Sequence, residues 1–153
     1  MKIDEPPPRS GAERKRDVLG RLEGETDIWV ASADGDGVPC MVPLWFVWHA
    51  ERVWLVTRVT NPTGRNLRDG GRTRLALADT RDVVLVDGDV RTHPLTEVPA
   101  EAAEAFLAKT GWDPRQDSPS YAFFEVRPTA VQAWHEQREL PRRHLMRDGG
   151  WLV

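Results

Sequence analysis

Cysteine occurs once in the 153 residues, at Cys40. A disulfide within the chain is therefore excluded, and a zinc site built on several thiolates is excluded with it. Apolar runs are short: none approaches the roughly 18 residues that a membrane-spanning helix requires. Histidine is sparse, at His49, His93, His135 and His144, with neither HxH nor HExxH spacing. The usual metal motifs are thus missing. Asp34-Gly35-Asp36-Gly37 lacks the rest of a calcium loop and reads as a turn. There is no GxGxxG after a strand, no Walker sequence and no GxSxG elbow, which removes the dinucleotide, P-loop and nucleophile-elbow modes. The net charge of −3 and a pI near 5.8 argue against nucleic acid or an anionic membrane as the main partner. The stretch Met1 to Arg9 is polar and proline-rich without an apolar h-region, so no secretory signal is expected and the cytoplasm is the expected location.

What is present is tryptophan, seven residues against a single tyrosine, placed in apolar stretches where it can fill a core or line a pocket. The length suits one domain, which at this size hides roughly 70% of the surface of its unfolded chain. Residues 1–16 read as a flexible arm and helix start, and residues 17–153 as a single domain. Ser10 caps a helix running to about Glu23, with Val18, Leu19 and Leu22 as its apolar stripe. Strands follow over Ile28 to Ala31, Val38 to His49 and Arg52 to Thr57, joined by the Asp34 to Gly37 and His49 to Glu51 turns. Asn61 caps a short helix from Pro62 to Asp69 that Gly70-Gly71 ends. Further strands are expected over Thr73 to Ala78, Asp82 to Thr92 with a bulge at Gly88, and Tyr121 to His135 bent at Pro128. Between them Pro99 to Lys109 forms a third helix and Trp112 to Ser120 a loop. Six to seven short antiparallel strands with three short helices predict a mainly β fold, a barrel or a sandwich.

Two segments carry candidate chemistry. In the first, a strand delivers Thr57 and Arg58, and a helix follows whose first turn holds Thr63, Gly64, Arg65 and Asn66. It reads either as an anion site, with helix N–H groups, a hydroxyl and guanidinium groups converging, or as a capped surface helix with solvated arginines. In the second, Pro39 to Trp48, an apolar strand interrupted by Pro43 either presents free backbone groups to a flat ring or is a bulged barrel strand. Cys40 reads as an inert buried thiol. The basic residues Arg138, Arg142, Arg143 and Arg147 read as a solvated face or as groups reaching across a dimer to a phosphate.

The chain resembles the pyridoxamine 5′-phosphate oxidase-like superfamily of flavin and deazaflavin split-barrel oxidoreductases, over about residues 17 to 153. Five pieces carry the resemblance: Ile28 to Ser32 with its Asp-Gly turn, Val42 to Trp48, Gly64 to Asp69, Val83 to Gly88, and Leu145 to Trp151. It implies a six-stranded antiparallel split barrel of the FMN-binding type and a homodimer with two cofactor sites between subunits. By likeness, Val42, Pro43 and Leu44 pass the isoalloxazine-type ring. Thr57, Arg58, Thr63, Gly64, Arg65 and Asn66 surround the phosphate-bearing chain, and Trp134 and Trp151 reach in from the partner. FMN-binding oxidases of the superfamily carry Arg and Lys where this chain has Val42 and Val47, and a Lys where it has Thr63. The apolar ring strand with Pro and Trp is closer to the deazaflavin-dependent reductases. The expected cofactor is thus coenzyme F420 or FMN. The expected function is hydride transfer from reduced F420 to a small conjugated acceptor, with an FMN-dependent oxidase or reductase and a non-catalytic flavin- or haem-binding protein as the alternatives. No catalytic residue and no metal site is assigned.

Overall fold

The structure is a computed structural model and describes residues 5–153. The expected arm over Met1 to Arg9 lies partly outside the described residues; at its end Arg9 is fixed, donating to Glu139, Asp17 and Asp82. Helix α1 (Gly11–Gly24) starts at Ser10, whose Oγ accepts from the Glu13 N–H at 3.1 Å. Its inner face buries Val18 and Leu22, and with them Arg14, a position that local patterning would leave outside.

Strands β1 (Asp27–Ala33), β2 (Pro39–His49), β3 (Arg52–Arg58), β4 (Arg72–Ala76), β5 (Asp82–Pro94) and β6 (Tyr121–His135) are antiparallel in the order β3-β2-β1-β4-β5-β6. β6 returns to pair with β3, so the six close into a barrel. The short strands β7 (His144–Arg147) and β8 (Gly150–Trp151) extend the sheet from β6, which gives two more strands than the barrel needs. The β3–β6 pairing covers most of the edge that an open sheet would leave. Ile28, Val30, Phe46, Leu55, Leu75, Val84, Val86, Phe124 and Val126 fill the interior. A second apolar cluster lies outside the barrel wall, where Val47, Trp54, Val56 and Phe123 are covered by Ala102, Ala103 and Phe106 of α3 (Ala100–Thr110).

The bulge expected at Gly88 and the bend expected at Pro128 are one feature. Asp87 pairs with Ala130 and Gly88 with Pro128, which leaves Thr129 as the extra residue. Gly88 is required there because a Cβ would come within 2.6 Å of the Arg127 carbonyl oxygen. Helix α2 (Pro62–Gly70) sits between β3 and β4. Asn61 caps it, Pro62 occupies its first turn, and Gly71 closes it with φ 66°. That left-handed conformation suits glycine because other residues bring Cβ against the carbonyl there.

Candidate functional site

The barrel opens between β2 and β3. β2 uses Pro39 to Trp45 to pair with β1 and only Phe46 to His49 to pair with β3. β3 leaves β2 after Leu55, and from there to Arg58 pairs only with β6. The β2 backbone from Pro39 to Trp45 therefore has one edge without a strand partner among the described residues. Pro43 fits this position, since a proline removes a donor that no neighbouring strand uses. Val42 and Leu44 turn inward against the core, so Pro43 and Trp45 face out.

The parting of the strands leaves a cleft of about 420 Å³ lined by Asp27, Pro43, Leu44, Trp45, Val56, Thr57, Arg58, Asn61, Trp112 and Tyr121. Four of the residues expected from the sequence, Pro43, Leu44, Thr57 and Arg58, meet here. Thr57 is buried and its Oγ1 accepts from Asn61 Nδ2 at 2.9 Å. Arg58 lies with its guanidinium carbon 4.4 Å from the Tyr121 ring centroid, and its Nη1 donates to Ser120 Oγ at 2.6 Å.

The helix residues separate from this group. Thr63 (3% exposed) and Asn66 (9% exposed) lie on the inner face of α2 beside Leu67. Thr63 Oγ1 is 3.4 Å from the half-buried Cys40 Sγ, and Asn66 Nδ2 donates to Ser32 Oγ at 3.2 Å. The first turn of α2 has few free donors. Pro62 has no N–H, the Gly64 N–H goes to Asn61 Oδ1 at 2.8 Å, and the Arg65 N–H goes to the Asn61 carbonyl at 3.0 Å. Arg65 is exposed, with Nη1 on the Thr60 carbonyl. Trp134 lies on β6 opposite Val83, and Trp151 on β8 under the Lys15 ammonium; neither lines the cleft of its own chain. Of the tail arginines, Arg142 and Arg147 are exposed, whereas Arg138 is largely covered and its Nε has no partner among the described residues.

Sequence reasoning alone did not single out the aromatic side of the cleft. Trp112 stands between Trp45 and Tyr121, with ring centroids 6.5 Å and 5.0 Å away, and its Nε1 donates to Asp117 Oδ2 at 3.0 Å. The abundance of tryptophan was the available signal, but the fold decides which of them meet. Among the described residues no group of His, Cys, Asp and Glu is arranged to hold a metal ion.

Solved structures share this architecture. A protein titled F420 Reductase superposes with a TM-score of 0.60 at 21% identity, over 73% of this chain and 93% of its own. HutZ, the haem storage protein from Vibrio cholerae, gives 0.67 at 13% identity, over 78% and 93%. General Stress Protein 26 from Bacillus anthracis gives 0.59 at 13%, over 78% and 92%. No curated protein matches significantly. At these identities the likeness shows the fold, a split barrel. The family model described as pyridoxamine 5′-phosphate oxidase matches residues 16–135, from the middle of α1 to the end of β6, and so takes in every barrel strand. The chain belongs to the pyridoxamine 5′-phosphate oxidase family.

Proposed function

We propose that the chain binds a flavin-type cofactor in the β2–β3 cleft, at the interface of a homodimer, and acts as an oxidoreductase that passes hydride from reduced coenzyme F420 to a small conjugated acceptor. The observation that carries this reading is the free edge of β2. A planar heterocycle has hydrogen-bonding groups along its rim, and the unpaired backbone beside Pro43 and Leu44 offers complementary ones in a strip walled by Trp45 and Trp112. The cofactor supplies hydride chemistry itself; the protein holds the ring and keeps water away.

The cleft fits the ring better than it fits a phosphate. Val42 and Val47 stand where FMN-binding oxidases carry cations, Thr63 is turned under the helix, and the N-terminal amides of α2 are largely taken by Asn61. Thr57 and Arg65 remain for the tail. What favours the deazaflavin over FMN is the apolar ring strand with Pro43 and Trp45, where the FMN-binding pattern has cations. For haem iron the cleft lining offers no His, Cys or Met; its one residue of a ligating type is Tyr121, whose ring packs against Arg58 and Trp112.

The dimer is supported by an apolar stripe on the outside of β1 and β2, where Trp29, Met41 and Trp45 are exposed, with Val38 exposed in the turn between them. Such side chains in one patch mark an interaction surface. Trp45 belongs to both stripe and cleft, so a second copy laid on this face would roof the site; the family resemblance is what assigns Trp134 and Trp151 of that copy to it.

Titration of the purified protein with oxidised F420 and with FMN, followed by ligand fluorescence, tests the reading. F420 should bind with a Kd below about 100 μM, roughly −5.5 kcal/mol. Failure of both cofactors to bind overturns it, and binding without turnover of any acceptor makes the chain a cofactor-holding module.

A further inference from the structure

Most arginines around the barrel are neutralised. Arg52 pairs with Glu125 at 3.5 Å, Arg115 with Asp113 and Glu104, and Arg127 with Asp89 at 2.8 Å. Arg58 differs. It is oriented by Ser120 Oγ and by the Tyr121 ring, while no carboxylate among the described residues lies within salt-bridge distance of it. Its remaining N–H donors stay open at the cleft. A guanidinium that is positioned but uncompensated is a receptor for an anion, and its planar fork matches a carboxylate with two parallel hydrogen bonds.

The neighbouring surface is aromatic and already in place. The Trp112 indole is held by Asp117 and by edge-to-face contacts with Phe106 (6.0 Å), Tyr121 (5.0 Å) and Trp45 (6.5 Å). Stacking on a fixed ring forfeits little side-chain freedom. Asp27 is the one carboxylate in the lining. It repels an anion from the β1 side and turns it toward Arg58. With Asn61 occupying the Gly64 and Arg65 amides and Pro62 lacking one, the first turn of α2 offers little to the double charge of a phosphate.

The geometry points to the outer part of the cleft as an acceptor subsite for a planar aromatic carboxylate, its ring against Trp112 and its carboxylate on Arg58; this rests on the proposed seating of the cofactor along β2. Arg58 and Trp112 are then the specificity-determining residues.

The test uses the full chain and 2-naphthoate as probe, read by calorimetry. The naphthoate should bind, and its uncharged analogue 2-naphthamide should bind about tenfold more weakly, the scale of a charge-assisted hydrogen bond. Arg58→Gln should lose a similar factor, about tenfold, and Arg58→Lys should recover part of it because the charge stays and the fork goes. Arg58 is exposed, and an unaltered far-UV circular dichroism spectrum confirms that these variants are folded. Trp112→Leu should weaken naphthoate while preserving the preference for it over the amide. Saturating F420 or FMN should leave naphthoate affinity intact or raise it. If neither cofactor binds yet naphthoate retains its dependence on Arg58, the cofactor reading fails and the carboxylate subsite stands. If a cofactor binds while naphthoate does not, is indifferent to Arg58→Gln, or is displaced by the cofactor, the subsite is overturned.

Discussion

The α-carbon of Gly64 is packed against the carbonyl of Arg58. A Cβ built on it would stand 2.9 Å from the Arg58 carbonyl carbon and nearer still to its oxygen. This contact seats the first turn of α2 on the end of β3, and so fixes how the helix residues stand relative to the cleft. Backbone cannot yield as a flexible side chain can, so Gly64→Ala should lift the helix and destabilise the protein by about 1–3 kcal/mol, the usual range for overpacking. A lower urea midpoint with an unchanged slope is expected. A midpoint equal to that of the natural protein would show that the helix is not seated this way.

Asn61 joins the same two elements through its side chain, accepting from the Gly64 N–H and donating to Thr57 Oγ1. Asn61→Ala removes both bonds and should lower stability by about 1 kcal/mol, typical of a lost N-cap. Asn61→Asp keeps the acceptor and loses the donor, so thermal unfolding should place it between the alanine variant and the natural protein. An alanine variant as stable as Asn61→Asp would mean that the cap contributes nothing here.

Helix α2 was legible because its signals are local: Asn-Pro at the start and Gly-Gly at the end state where the chain turns. The bulge was legible for the same reason, from Gly88 within a strand and Pro128 opposite. The inward turn of Thr63 and Asn66 was not anticipated, since the sequence put both at the anion site, although the helical period sets them at i and i+3 beside the core residue Leu67 at i+4. The burial of Arg14 and Glu139 is not local. Arg14 Nη1 donates to the carbonyls of Ala133, Glu139, Pro141 and Arg142, more than a hundred residues away in sequence. A pattern that assigns charged residues to solvent cannot find such a pair, because its partners exist only once the barrel is closed. The meeting of Trp45, Trp112 and Tyr121 at the cleft has the same origin, since closure of β3 onto β6 brings them together.

Glu139 holds α1, β6 and the Arg9 segment together. It is 1% exposed and accepts from the Arg9 N–H, the Arg9 guanidinium and the His135 N–H. Burial alone would raise its pKa, but the Arg9 hydrogen bonds and the His135 amide outweigh it and bring the group from 4.5 to about 2. A carboxylate whose folded pKa is depressed contributes stability in full above its unfolded value, and loses it as pH falls toward the folded one. Glu139→Gln keeps the shape and removes the charge, which leaves Arg9 and Arg14 underpaired. It should cost about 3 kcal/mol near neutrality, the scale of breaking a buried pair. The gap between the natural protein and the variant should stay constant above about pH 5 and narrow between about pH 4.5 and pH 2. A gap that does not change with pH would assign the loss to packing and not to the ionised carboxylate.

The apolar stripe on the outside of β1 and β2 gives the last expectation. Trp45 is 47% exposed and Met41 58%, on a strand whose alternate residues Val42 and Leu44 already face the core. The outward side chains therefore contribute nothing to the interior of their own barrel. Placing a charge there should leave the monomer's fold intact and act only on association, because a buried unpaired charge at a dimer interface costs several kcal/mol while an exposed one costs little. Met41→Lys should thus convert a dimer to a monomer in sedimentation velocity with no change in far-UV circular dichroism. Met41 is absent from the lining of the cleft, so any accompanying loss of F420 affinity would trace to the missing second copy. A Met41→Lys protein that remains dimeric would move the interface to another face, and with it the argument that a partner roofs the site at Trp45.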